Sequence, residues 1–318
     1  MIDSLGAAPR TNRRSILIRC ATAVVVVVAL VAFVRTAGTA DLGAVLGTAE
    51  PLWVLAAVLV FLVPLLGNVL ALRAVAPVSL PWGLTTVAQL AGAFGNLVAP
   101  GNLGGMATNV RFLQRRGVAT TGAAGAVGAA QATAVVVTVA VALPGLIASG
   151  RLAAVGSAVS GPVAPIAVAV LAAVVVALGC TPVGRRWGSK LRSAAVATFA
   201  SFRFALAAPG RAGLAVAGNL LVTLGSTAAL AAAVQAFGST ASFGDLLLVV
   251  AGSALAGVLP VPGGAGGAEV ILAAQLTAVG LQPPVAFAAA VLYRVVTFWS
   301  RVPVGWLAFS WLRRAGHL

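Results

Sequence analysis

Long apolar stretches, separated by short polar ones, recur along the whole chain of 318 residues. In the long runs apolar residues do not alternate with polar ones, as they would in the strands of a membrane barrel. A run of about 18 apolar residues is enough to cross a bilayer as a helix. The pattern predicts an all-α, polytopic membrane protein with six full spans. The predicted spans are 17–35, 52–72, 118–148, 162–181, 212–236 and 284–312.

The composition agrees with a membrane protein. Charged residues make up 8% of the chain, whereas a soluble globular protein has about a quarter. The net charge of +15 would suit a nucleic-acid-binding protein if the basic residues formed one stripe. They fall instead mostly at the ends of the apolar runs, which is typical of signals that set membrane topology. We therefore expect no nucleic-acid partner.

Basic flanks predict the orientation of the spans. Four Arg residues precede the apolar run that begins at about Cys20, and the segment 184–211 holds six basic residues, so the N-terminus and this segment are predicted to be cytoplasmic. Tails at 1–16 and 313–318 then lie in the cytoplasm on either side of a single transmembrane domain, 17–312. We expect a multi-pass protein of the bacterial plasma (inner) membrane with both termini cytoplasmic.

Some basic and apolar positions leave alternatives open. Arg35 and Arg151 would lie outside, which counts against this topology. The first apolar run resembles a signal peptide with a cleavage site at Gly38-Thr39-Ala40, but a retained signal-anchor keeps the later basic clusters inside. Apolar residues at helical spacing in the segment 184–211 indicate a helix on the inner surface, with a solvated loop as the alternative.

Two further apolar stretches, 82–116 and 244–279, are interrupted by glycine-rich turns. A full span at 82–98 would place the three following Arg residues outside, whereas a re-entrant helical hairpin turning at 100–105 keeps them inside. The second hairpin is predicted to enter from outside and to turn at 262–267. Such backbone cannot lie against lipid, because its amide groups would have no partners.

The two hairpins look like copies of one another. Glycine, leucine and proline recur at a constant offset of 162 residues, although the 37 glycines make some chance matches expected. Because one hairpin enters from inside and the other from outside, the sequence predicts an inverted repeat, as in many transporters. The matching residues are Gly95, Leu97, Pro100, Gly101, Gly104 and Gly105 with Gly257, Leu259, Pro262, Gly263, Gly266 and Gly267.

Ionisable residues in the second half point to a binding site. Glu269 is one of five acidic residues and follows the glycine turn, and an ionisable group at membrane depth is a candidate functional residue. Arg294 would lie about 15 Å into the last span, where its natural partner is Glu269, and Arg301 shares its helix face. After one inserted residue the repeat pairs Gln131 with Arg294.

Glycine-rich turns at helix N-termini can hold an anion through free amides and the helix dipole. Alternatively, the glycines only allow tight helix packing, the Glu269–Arg294 pair only pins the hairpin, or Glu269 caps its own helix. We predict no catalytic residue, no metal site and no cofactor. The predicted substrate-binding residues are Glu269, Arg294, Arg301, Tyr293, Gly263, Gly264, Gly266, Gly101, Asn102 and Gln131.

The stretch from Leu259 to Glu269, followed by Gly280 and Leu292-Tyr293-Arg294, resembles the signature of the lysylphosphatidylglycerol synthase transmembrane, or flippase-like, family. The resemblance covers about 20–312. It implies an integral membrane protein that moves lipids between leaflets, and we expect a stand-alone member without the family's soluble synthase domain. Many members have charged residues in the first hairpin, where this chain has Asn102 and Gly105.

These observations predict a flippase-like transporter, and not an enzyme, for an anionic, phosphate-bearing lipid or lipid-linked intermediate. Its partners would be membrane lipids with anionic head groups and a separate lipid-synthesising enzyme. One alternative is a non-transporting scaffold that recruits such an enzyme through the segment 184–211. The other is a lipid-modifying membrane enzyme that uses Glu269 and Tyr293.

Overall fold

The computed structural model describes residues 47–98, 103–148, 196–203, 208–256 and 267–318. Regular structure in these ranges is entirely helical. A short helical segment, 196–203, and a π-helix, Val295–Trp299, accompany ten α-helices within the described ranges. The α-helices are α1 Pro51–Val60, α2 Leu62–Val75, α3 Trp82–Val98, α4 Leu103–Gln114, α5 Thr120–Ala148, α6 Pro209–Gln235, α7 Phe243–Ala256, α8 Gly267–Ala278, α9 Pro283–Arg294 and α10 Arg301–Arg314.

Four helical stretches in the described part of the chain are long and apolar enough to cross a membrane. They coincide with four of the predicted spans and support a membrane protein with several apolar helices. The other two predicted spans, 17–35 and 162–181, lie outside the described residues. The four observed stretches are Pro51–Val75, Thr120–Ile147, Pro209–Gln235 and Pro283–Arg314.

Helices α2 and α6 cross at two glycines near the centre of the fold. A Cβ atom added to Gly218 would lie 2.7 Å from the carbonyl oxygen of Gly67, so only glycine allows this approach. At one end of the pair the Glu50 amide donates to the Ala236 carbonyl at 2.8 Å. At the other end Arg211 Nη1 donates to the Ala76 carbonyl at 3.2 Å. The two spans therefore run antiparallel over their whole length.

Both predicted hairpins are pairs of short helices. Helices α3 and α4 pack together, and the Asn96 Oδ1 atom accepts a hydrogen bond from the Gly105 amide at 2.6 Å. This bond satisfies one of the amides that a helix N-terminus leaves free. Helices α7 and α8 are likewise linked, since the Ser253 hydroxyl donates to Gln275 Oε1 at 2.9 Å. The turns of both hairpins, 99–102 and 257–266, lie outside the described residues.

The same order of helices occurs twice, as a span, two short helices and a second span. In the first half these elements begin at residues 51, 82, 103 and 120, and in the second at 209, 243, 267 and 283, an offset of 158 to 164 residues. The second span of each half packs on the first short helix of the other half: α10 on α3, and α5 on α7. The contact between α10 and α3 includes the Phe94 and Phe309 rings, 5.7 Å apart.

Two of the spans are irregular near their middle. The break between α1 and α2 falls at Phe61, three residues before Pro64, which has no N–H to donate to the carbonyl of Val60. In the last span a kink is expected near Pro303, and the irregular stretch there is the π-helix Val295–Trp299. Pro303 likewise cannot donate to the Trp299 carbonyl, so the irregularity lies directly before the proline.

The basic segment 184–211 is described at 196–203 and from residue 208 onward. The helical segment 196–203 agrees with the predicted helix. It lies against α5, where Gly125 faces Ala197 and Gly128 faces Thr198. Its position relative to the membrane surface stays a prediction.

Candidate functional site

A buried ion pair joins the second hairpin to the last span. Glu269 is in the first turn of α8, where the helix dipole favours a carboxylate. Arg294 is the last residue of α9. Arg294 Nε donates to Glu269 Oε1 at 3.0 Å, and the two side chains are 18% and 5% exposed. The two predicted partners are therefore in direct contact.

The pair lies deep along both helices. At 1.5 Å per residue, Arg294 is about 16 Å from the start of α9, and Glu269 is about 14 Å from the end of α8. Half of a typical hydrocarbon core is about 15 Å. Both helices meet at the connection 279–282, so the pair lies about half the thickness of a hydrocarbon core from that connection.

The Arg294 guanidinium also lies over the ring of Phe298, 4.4 Å from the ring centre. Phe298 belongs to the π-helix, a local structure that occurs frequently at functional sites. The carboxylate on α8 and this aromatic ring together fix the position of the guanidinium.

Arg301 lies about 10 Å further along the last span, at the first residue of α10. Its guanidinium is 3.9 Å from the ring centre of Phe61, the residue at the break between α1 and α2. The buried Nε of Arg301 has no hydrogen-bond partner within the described part of the fold. An aromatic face stabilises a cation but leaves this N–H donor unsatisfied.

Tyr293 lies beside Ser226 of α6 and packs against the apolar core of α7, α8 and α9. Its position next to Arg294 in the chain places the polar contacts of Glu269, Arg294 and Tyr293 at one depth.

Other predicted site residues are not brought to this cluster. Gln131 is exposed on α5, and its role as a lining residue stays a prediction. The five predicted residues of the glycine turns lie outside the described residues, so their binding of an anion stays a prediction. They are Gly101, Asn102, Gly263, Gly264 and Gly266.

The corresponding place in the first half is uncharged. At the offset of 162 residues Phe61 corresponds to Thr223, and at the offset of 163 that follows the inserted residue Thr138 corresponds to Arg301. The hydroxyl oxygens of these two threonines are buried and 3.3 Å apart. The contact between Arg301 and Phe61, which joins the two halves, therefore corresponds to a neutral contact between Thr138 and Thr223, and the three charged residues of the site all come from the second half.

Three residues of the cluster were missed by sequence reasoning. Phe298 follows Arg294 by four residues, a spacing that places two side chains side by side on a helix, so this contact had a usable signal. Phe61 and Ser226 come from distant spans, and nothing in their local sequence distinguishes them from other residues of apolar helices.

Comparison with protein-family models matches residues 16–305 to the lysylphosphatidylglycerol synthase TM region. The matched range includes both hairpins and the Glu269–Arg294 pair. A search of the curated proteins finds no match to the chain.

Proposed function

Because the chain belongs to the lysylphosphatidylglycerol synthase TM region family, we propose that it is a lipid transporter that moves a phosphate-bearing, anionic lipid between membrane leaflets. The family and the membrane spans support a lipid-related function within the membrane. The observation that carries the proposal is the charged cluster formed by the buried Glu269–Arg294 pair and by Arg301, about 10 Å further along the last span.

Two largely buried guanidinium groups on one membrane-spanning helix require a reason. By insertion scales, an Arg at the centre of a membrane helix costs about 2.5–3.5 kcal/mol, and Glu269 compensates Arg294. Arg301 lies against the Phe61 ring, and no carboxylate of the described residues pairs with it. A guanidinium is well suited to phosphate, because its planar set of N–H donors matches the phosphate oxygens. The head group of a lipid passing Arg301 could therefore bind this cation.

The arrangement of the helices supports a transporter. We infer that the two halves form an inverted repeat, since their elements recur in the same order and the equivalent spans α1–α2 and α6 are antiparallel. On this proposal both hairpins are re-entrant, and their turns approach the midplane from opposite sides. Many transporters combine inverted repeats with broken helices around a central site.

The proposal includes no chemical reaction. Glu269 is held by Arg294, so this carboxylate already has a partner in the fold. A separate lipid-synthesising enzyme would supply the cargo.

Reconstituted vesicles test the function. Proteoliposomes of phosphatidylcholine with a trace of chain-labelled phosphatidylglycerol should exchange the label between leaflets faster than protein-free vesicles. Arg294→Gln should abolish most of this exchange, whereas Arg313→Gln, an exposed change on the last helix, should leave it unchanged. Exchange no faster than in protein-free vesicles would reject the transporter, and appearance of a chemically altered lipid would favour the enzyme.

Topology can be tested at two exposed positions. Thr240 follows α6 and lies close in sequence to Ala236, the partner of Glu50, so it is predicted to face outside. Arg115 follows α4 and is predicted to face the cytoplasm. With Cys20 and Cys180 replaced by Ala, a membrane-impermeant maleimide on intact cells should label Thr240→Cys but not Arg115→Cys. The reverse labelling would invert the proposed orientation.

A further inference from the structure

We propose that the cargo head group carries a single net negative charge, as a phosphodiester does. This inference rests on the proposed lipid transport and specifies its substrate class. It follows from the charge of the cluster of Glu269, Arg294 and Arg301, which consists of one carboxylate and two guanidinium groups.

The cluster has a net charge of +1. The Glu269–Arg294 pair is neutral as a unit, because the carboxylate and the guanidinium are in direct contact. Arg301 adds one positive charge and lies against an aromatic ring instead of a carboxylate. The other acidic residues of the described part, Glu50 and Asp245, lie at the outer ends of α1 and α7. The hairpin turns, 99–102 and 257–266, contain no charged residue.

An uncompensated buried charge is costly, so the bound state that brings the cluster to neutrality is favoured. One bound phosphodiester brings the net charge of cluster and ligand to zero. A phosphomonoester carries about two negative charges above its second pKa of about 6, so it leaves one uncompensated negative charge. A diphosphate leaves at least one uncompensated negative charge, and a zwitterionic lipid leaves the positive charge of Arg301 uncompensated.

Arg301 also supplies the hydrogen bond that such a ligand would accept. Its buried Nε is an N–H donor without a partner in the described residues, and leaving a buried donor unsatisfied is unfavourable. The Phe61 ring covers one face of the guanidinium, so an oxygen must approach along the guanidinium edge, where the N–H groups point. We therefore assign Arg301 as the cargo-binding cation and Arg294 as the cation that Glu269 neutralises.

The test compares three chain-labelled lipids in vesicles of phosphatidylcholine at pH 8. The lipids are phosphatidylglycerol, phosphatidate and phosphatidylcholine. The protein should exchange phosphatidylglycerol at least about tenfold faster than the other two, a ratio that corresponds to about 1.4 kcal/mol. Arg301→Gln, with a neutral cluster, should lose the preference for phosphatidylglycerol over phosphatidylcholine, whereas Arg313→Gln should retain it.

A charge-compensated variant separates charge from mere damage to the fold. Glu269→Gln raises the cluster to +2 and should shift the preference toward phosphatidate. Adding Arg301→Gln to Glu269→Gln returns the cluster to +1 and should restore the preference for the singly charged lipid. The inference would be overturned if the wild-type protein exchanged phosphatidate as fast as phosphatidylglycerol. It would also be overturned if the double variant kept the lipid preference of Glu269→Gln.

A binding measurement keeps the two proposals distinguishable. Short-chain forms of the same three lipids, and inorganic phosphate, can be tested for their effect on the melting temperature in detergent. Selective stabilisation by short-chain phosphatidylglycerol without exchange in vesicles would retain the charge assignment and reject transport. Exchange or binding that does not depend on head-group charge would reject the charge assignment but not lipid transport. Stabilisation by inorganic phosphate alone would point to a soluble ligand and overturn the lipid assignment.

Discussion

Glu269→Gln and Arg294→Gln should each destabilise the protein strongly, whereas the double variant should regain most of the lost stability. Each single change leaves one buried charge without its partner, a change that costs about 3–5 kcal/mol. The double variant leaves two neutral amides at a contact that is now 3.0 Å long. The coupling between the two changes is the quantity of interest, because it isolates the contribution of the pair.

Melting temperature in detergent, followed for the parent and the three variants, measures this coupling. Glu50→Gln is the matched control, because it removes an exposed carboxylate and should shift the melting temperature little. Single variants as stable as the parent would mean that the pair contributes nothing to the fold. Strictly additive losses would mean that the two residues stabilise the protein separately.

The same double variant separates structure from transport. If Arg294 takes part in cargo movement in addition to holding the hairpin, the double variant should be folded and yet exchange phosphatidylglycerol no faster than protein-free vesicles. A folded double variant with the parent's exchange rate would restrict the pair to a structural role, while leaving Arg301 as the cargo-binding cation.

The Glu269–Arg294 contact could be predicted from sequence, because so few partners were available. With five acidic residues in the chain and a strong penalty for a lone Arg at membrane depth, Glu269 was the one acid expected to reach Arg294. The same scarcity of charge allowed four spans to be assigned from apolar length alone. In a soluble protein, with about a quarter of its residues charged, neither argument would have been specific.

The stacking of Arg301 on Phe61 could not be predicted, because it depends on how two distant spans cross. Sequence placed Arg301 on the face of Arg294 and assigned it to the same site, but gave no contact for it. The break at Phe61 and the π-helix before Arg301 are local features, to which Pro64 and Pro303 contribute. Which ring would face which guanidinium follows only from the packing of the α1–α2 span against the last span.

The repeat was predicted from the glycine turns, which lie outside the described residues. The repeat positions also predicted that Gln131 and Arg294 would be equivalent, but Gln131 is exposed on its helix whereas Arg294 is in a largely buried ion pair. The two positions therefore have different surroundings, although the helices of the two halves follow the same order. Sequence offsets alone do not reveal this difference, because they compare positions and not surroundings.

Replacement of Gly218 by Ala should be among the most damaging changes to the fold. A Cβ atom there would lie 2.7 Å from the Gly67 carbonyl oxygen and 2.8 Å from the Ala71 amide nitrogen. Both are backbone atoms of α2, so no side chain can move aside, and the two central spans must separate. Overpacking of a core typically costs about 1–3 kcal/mol, and a shift of whole helices places this change at the upper end of that range.

Gly213→Ala provides the matched control, because Gly213 lies on the same helix and nothing is within 4 Å of its added Cβ. There alanine should be neutral or stabilising by up to about 1 kcal/mol, since it is the better helix former. Melting temperatures in detergent should therefore move in opposite directions, or fall only for Gly218→Ala. Equal melting temperatures for the two variants would mean that α2 and α6 do not meet at these glycines. The antiparallel contact on which the inverted repeat depends would then lose its main support.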